Sequence, residues 1–367
     1  MQPEFSNQVV EKIERNSFVY HFTLYFISYF HRFIFHKVDC ILPAEHKFIE
    51  VPYPSSCIAN HVTAHDVLSL TVAYRKIHTE ARFTFPARQD ILEENFLVKY
   101  YKKKNWKTSI LQMIDKTQLI PSLFRYLGAV PIKRPFRDDA RKLLKEGLLR
   151  DTVKENWDTL LKNMQGGRTL FAFPEGRFSF NGWLNRIQKG IFSLYQSGFR
   201  RYLFINFTYD FLSHKKPNLY IHLRKLEEFP EGLAEREFLE LVKERLGSLF
   251  VINPSNLFSY LLFTEQVRKG VQELEFYELY LRFSKQLQRE FVVRGFQEKM
   301  DKLFEHFKSS AIKTSFLELK DGILRGREKL YQDISSQNQY LRKKNIYLFH
   351  ANQLFSYESR LQSFLKE

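Results

Sequence analysis

Residues 138–177, DDARKLLKEGLLRDTVKENWDTLLKNMQGGRTLFAFPEGR, decide the fold. Leu143, Leu144, Leu148, Trp157, Leu160 and Leu161 recur among charges at helical spacing, which predicts a helix over 138–164. Gly166-Gly167 stops that helix and turns the chain. The apolar run 169–173, TLFAF, then reads as a buried strand that ends at Pro174. A helix returning directly into a strand is the repeating unit of an α/β domain.

The same alternation extends in both directions. Candidate strands are 55–59, 82–86, 129–132, 169–173 and 202–207, separated by amphipathic stretches. This order predicts a mixed, largely parallel sheet flanked by helices, spanning 46–250. From 251 onward strand-like runs are almost missing. Asn253-Pro254-Ser255 marks the boundary, with Ser255 as a helix cap, and helices are predicted at 255–264, 273–291, 295–309 and 316–346. Residues 251–367 are therefore expected to form an all-helical C-terminal extension. At the other end, 18–35 reads FVYHFTLYFISYFHRFIF. As a helix it would span about 27 Å, short of a hydrocarbon core of about 30 Å. Its many aromatics, with His21, His31 and Arg32, predict an amphipathic helix lying in a membrane surface, within an N-terminal segment 1–45. A core helix is the plainer alternative.

The chain has 37 Phe and 19 Tyr against 3 Trp, and a net charge of +16. Such a charge suits an anionic bilayer, phosphorylated substrates or nucleic acid. The basic excess follows chain length, and no nucleic-acid-binding motif occurs, so nucleic acid is not expected as a partner. The clusters Lys102-Lys103-Lys104 and Arg342-Lys343-Lys344 read as solvated surface. Cys40 and Cys57 make no disulfide framework, and no Cys/His cluster suggests zinc. The N-terminal MQPEFSNQVVEKIER lacks the basic start of a secretory signal.

Three short constellations carry chemistry. In Asn60-His61-Val62-Thr63-Ala64-His65-Asp66, five positions on a continuous helix would rotate the His61 and Asp66 side chains about 140° apart. They meet if His61 ends strand 55–59 and Asp66 begins a helix after a bend, with Thr63 as its N-cap. Asp66 then fixes one imidazole nitrogen and leaves the other as a base for a substrate hydroxyl. In Gly128-Ala129-Val130-Pro131-Ile132-Lys133-Arg134, a strand ends in two cations, and Arg134 has the planar fork that clasps phosphate. In Phe173-Pro174-Glu175-Gly176-Arg177, Gly176 permits a turn whose amides can face an anion. Arg177 adds charge there, and Glu175 can orient it or bind an acceptor hydroxyl. A packed loop histidine, a basic loop and a salt-bridged turn are the respective plainer readings.

Taken in order, these motifs resemble the glycerolipid acyltransferase family, which includes glycerol-3-phosphate and lysophosphatidate acyltransferases. The family pattern is N-H-x4-D, then G-x-I-P-I-x-R, then F-P-E-G-T-R-S and a lysine-glycine pair, which Lys189-Gly190 matches. The resemblance covers roughly 55–210. It implies a mixed α/β fold in which His61 is the general base and Asp66 its partner. Arg134, Glu175, Gly176 and Arg177 would hold the phosphate and glycerol of the acceptor. It implies acyl-CoA or acyl carrier protein as donor, no metal, no bound cofactor, and attachment to a membrane surface on the cytoplasmic face. The chain departs from the pattern where Arg177 directly follows Gly176, with Phe178 next. It also departs where Ile205-Asn206-Phe207 replaces the usual apolar-proline-apolar motif. Another lysolipid acceptor, or a non-catalytic basic protein binding membrane or nucleic acid, are the alternative readings.

Overall fold

The computed structural model describes residues 14–88, 92, 112–113, 115–132, 147, 149–297, 299–332, 341–355 and 357. Arg134, Lys102-Lys103-Lys104 and most of 138–148 lie outside them. The strands before residue 250 are β1 (Val38–Ile41), β2 (Ile49–Glu50), β3 (Ser56–Ala59), β4 (Ile77–His78), β5 (Phe83–Arg88), β6 (Ala129–Ile132), β7 (Thr169–Ala172), β8 (Arg201–Asp210), β9 (Asn218–Leu223) and β10 (Glu227–Glu228). Eight of them make one sheet in the order β1-β9-β8-β3-β7-β5-β6, with β10 also on β8. The neighbours from β8 to β6 all run parallel, while β9 and β10 run antiparallel to β8. The sheet is mixed and largely parallel, with helices on both faces. Strands β3, β5, β6, β7 and β8 consequently end on one edge, where α/β proteins bind their ligands.

Period-two alternation along β8 divides the core. Leu203, Ile205, Phe207 and Tyr209 join one cluster with Tyr20, Leu24, Val72 and Phe171. Tyr202 and Phe204 join another with Leu160, Met164, Leu194 and Phe238. Burial on both faces is what a central parallel strand requires. β6 spans the expected residues, and β3 and β7 are one residue shorter. β8 runs to Asp210, three residues beyond its expected end.

The stretch expected as one helix over 18–35 is two, Phe18–Ser28 and His31–Ile34. Tyr20, Leu24 and Ser28, four apart, face inward. The opposite side is apolar too: Phe18 is 84% exposed, Phe33 74%, Phe22 60% and Phe26 56%. Arg75 lies over the rings of Tyr25 and Tyr29, and Arg32 over Tyr29. β1 follows at once and pairs with β9 at the sheet edge. Among the described residues no helix is long and apolar enough to cross a membrane.

The C-terminal segment is not all-helical. Helices Pro254–Leu262, Glu273–Glu290 and Met300–Lys313 lie near the expected positions. The first part of the helix expected over 316–346 is instead β12 (Leu317–Lys320) and β13 (Ile323–Gly326), which form an antiparallel hairpin joined by β11 (Val271–Gln272). Asp321-Gly322 explains it: both residues have positive φ, +53° and +75°, as a tight two-residue hairpin turn requires. The cap of the first helix is Asn253, not Ser255. Its side chain accepts from the Asn256 amide at 3.1 Å, and Asn256 reciprocates at 3.2 Å. Buried Phe258, Phe276, Tyr280, Phe304, Phe307 and Tyr347 give the segment a core of its own.

Candidate active site

The site begins with how the chain leaves β3. Pairing of β3 with β8 stops at Ala59, opposite Ile205. The Asn60 side chain then prolongs it, donating to the Phe207 carbonyl at 3.0 Å and accepting from the Phe207 amide at 2.6 Å. His61 follows at the strand-end edge with both backbone groups held by the turn after β7. Its amide donates to Glu175 Oε1 at 2.7 Å, and its carbonyl accepts from the Ser179 amide at 2.6 Å. The imidazole lies against Phe173, centroids 4.2 Å apart and nearly parallel, and against Phe178 at 4.3 Å. Packing on two rings fixes its plane.

The bend brings Asp66 back to the ring: His61 Nδ1 is 2.8 Å from Asp66 Oδ2. The helix starts at Asp66 itself, with His65 rather than Thr63 at the N-cap. Thr63 instead closes the turn, its hydroxyl accepting from the His65 amide at 2.8 Å. Asp66 also accepts from the amides of Val62 at 2.5 Å and Thr63 at 2.9 Å, and from the Tyr209 hydroxyl. With donors on every other side, the carboxylate accepts from the ring as well, which assigns the hydrogen to Nδ1. Nε2 then carries the lone pair. Among the described residues it has no hydrogen-bond partner, and the side chain is 11% exposed, while Asp66 is fully buried.

The third motif is divided between inside and outside. Glu175 is buried, with Oε1 on the His61 amide and Oε2 on the backbone and side-chain nitrogens of Asn185, both at 2.8 Å. Burial pushes its carboxyl up to about 7 against the three donors that pull it down. Both oxygens are thus engaged within the protein, and Glu175 acts on His61 through the backbone. Gly176, at φ +67°, makes the turn, and its amide is used by the Phe173 carbonyl at 3.0 Å. Gly176 and Arg177 are exposed at the same edge. Arg134, two residues past the end of β6, lies outside the described residues.

Sequence reading missed Tyr209 and Asn185. The continuation of the apolar alternation through Thr208-Tyr209 was a signal for the first; a lone Asn in a loop gave none for the second. Beside Glu175 lies a cavity of 390 Å³. Asn60, Val62 and Ser179 wall it from the site, and Asn352, Gln353 and Tyr357 from the C-terminal segment. Among the described residues no three His, Cys, Asp or Glu side chains cluster as metal ligands.

No protein-family model matches the chain, and no curated protein matches it. Among solved structures it is similar to the 1-acyl-sn-glycerophosphate (LPA) acyltransferase, PlsC, from Thermotoga maritima. The two share 14% identity at a TM-score of 0.35, over 62% of this chain and 78% of that one.

Proposed function

We propose that the protein transfers a fatty acyl group from a thioester, acyl-CoA or acyl carrier protein, to a hydroxyl of lysophosphatidate or glycerol-3-phosphate. The observation that carries this reading is the contact of His61 with Asp66, which leaves Nε2 as an available acceptor at the strand-end edge. Nε2 takes the proton of the acceptor alcohol as its oxygen attacks the thioester carbonyl. The tetrahedral intermediate collapses, the carbon–sulfur bond breaks, and the imidazolium returns the proton to the departing thiolate. Asp66, held by two amides and Tyr209, keeps the ring in the tautomer this needs and stabilises its protonated form. Exposed Arg177, at the turn that Gly176 makes, supplies the cationic side on which the acceptor phosphate rests, and the resemblance adds Arg134 to it.

The reaction runs at a membrane surface on its cytoplasmic face. The support is the exposed aromatic side of Phe18–Ser28 with Arg32 and Arg75 beside it, a combination suited to anionic headgroups over acyl chains. That helix packs on Asp66–Tyr74, which begins at the site. The test incubates full-length protein in detergent with labelled acyl-CoA and either glycerol-3-phosphate or lysophosphatidate. Labelled lysophosphatidate or phosphatidate is expected. A protein that transfers to neither, nor to other lysophospholipids, would overturn the reading. Replacing Phe22, Phe26 and Phe33 by Ser should release the protein from anionic vesicles in flotation, and undiminished flotation would remove that face as the membrane contact.

A further inference from the structure

Arg342 begins a basic run whose plain reading is solvated surface, yet its side chain is only partly exposed. Its guanidinium lies 4.6 Å above the Phe211 ring, immediately after the end of β8. Nη1 is shielded from solvent, and among the described residues nothing accepts its hydrogens. A shielded donor without an acceptor is costly unless something else completes it.

The surroundings show what is missing. The helix Ile346–Phe355 that follows is fixed to the loop after the third motif: Asn352 donates to the Asn181 carbonyl at 2.7 Å, and Gly182 is so close that an added Cβ would stand 2.2 Å from the Phe349 carbonyl. The C-terminal segment is thereby built into the strand-end edge. Arg342 is near enough to Asp66, Tyr209 and His65 to act on them electrostatically. It is not the partner of Asp66, whose oxygens already accept four hydrogen bonds. The guanidinium is thus held over the Phe211 ring on the side of the dyad, with a donor left over.

We infer that Arg342 is an anion-binding residue of the active site, supplied by the C-terminal segment, and that its ligand is a phosphate group of one of the two substrates. This rests on the acyl-transfer reading above. The Phe211 ring holds the guanidinium in place, and a planar fork of this kind can meet two phosphate oxygens at once. The phosphate belongs either to the acceptor or to the coenzyme A of the donor.

Full-length wild type, Arg342→Met and Arg342→Lys are compared with two acceptors, lysophosphatidate and monoacylglycerol, and two donors, acyl-CoA and acyl-N-acetylcysteamine. Arg342→Met should raise the KM of one phosphate-bearing substrate by about 10- to 100-fold, the range of a lost charge-assisted pair. Its phosphate-free counterpart should change by less than about twofold, and Arg342→Lys should fall between. The substrate whose KM moves identifies the source of the phosphate. Unchanged KM values for both, or equal losses with and without phosphate, would overturn the assignment. Equilibrium dialysis of glycerol-3-phosphate and of coenzyme A separates this inference from the reaction itself. If the wild type transfers nothing, the acyl-transfer reading fails, while weaker binding of either probe by Arg342→Met still supports the anion site. Equal binding by wild type and variant would remove it. Should Arg342→Met melt early, Arg342→Lys, which keeps the charge and loses the fork, carries the same comparison.

Discussion

Two regions at the strand-end edge are made of similar parts, a buried aspartate with a histidine near it, and differ in what the histidine is left free to do. After β3, buried Asp66 collects two backbone amides, a hydroxyl and the His61 ring. At the end of β8, buried Asp210 collects the amides of Leu212 and Ser213 and the hydroxyls of Ser213 and Ser255, with His350 close by. Among the described residues nothing bonds His61 Nε2, which lies at a partly open face. His350 is fully buried, its ring facing the Phe211 amide at 3.4 Å and the Asn256 side-chain amide at 3.3 Å. Burial drives the His350 ring down to about 4, so it stays neutral at ordinary pH. Composition alone does not separate a base from a strut. Access to one lone pair does.

The sharpest way to break that comparison is to remove each histidine in turn. His61→Ala should lower transfer by about 10²- to 10⁴-fold with an unchanged circular dichroism spectrum, the usual worth of a general base. Asp66→Asn should do nearly as much, since the amide presents a donor where Tyr209 and two backbone amides already donate. A folded His61→Ala protein with near-normal turnover would make the two regions equivalent and the mechanism wrong.

How much of this was legible in the sequence depends on what each residue had to signal. Strands β3, β6 and β7 stand between turn residues, and their edges fall within a residue of where the pattern puts them. β9, NLYIHL, was missed, as was the C-terminal hairpin, where the Asp321-Gly322 turn was read through as helix. The His61–Asp66 spacing announced a bend that sterics then required. Tyr209 looks like any aromatic in a buried strand, and only its place past the end of β3, within reach of Asp66, gives the hydroxyl a task. Arg342 looks like surface because sequence records charge and not what the charge lies against.

A second carboxylate sharpens the comparison further. Glu175 acts on His61 only through the backbone, so Glu175→Gln should lower transfer by about 10- to 100-fold, less than His61→Ala, because the amide places a donor against the Asn185 nitrogens. Its pH signature has a definite sign. The folded-state value of about 7 lies above the usual 4.5, so the stability this group contributes is full below about pH 4.5 and is lost as pH rises through 7. Urea unfolding of both proteins at pH 5, 6, 7 and 8 should show wild type losing ground to Glu175→Gln across that window. A difference independent of pH would mean that the carboxyl ionises as easily folded as unfolded.

The smallest effect belongs to the sealed histidine and runs the other way. Below its ordinary value of 6.5 an unfolded chain protonates His350, while the folded chain refuses the proton until about pH 4. The stability this residue contributes is therefore full above pH 6.5 and is lost as pH falls through that window, at no more than about 1.4 kcal/mol per pH unit. His350→Asn removes the titration. It should lower stability at pH 7.5 by about 1–2 kcal/mol, since Asn256 and the Phe211 amide lose a fitted partner. Its urea midpoint should then fall less than that of wild type between pH 7.5 and pH 5. Transfer per folded molecule should stay within about twofold, because nothing in the proposed reaction passes through this ring. A variant that kept its stability but lost its turnover would place His350 in the chemistry and erase the distinction between the two regions.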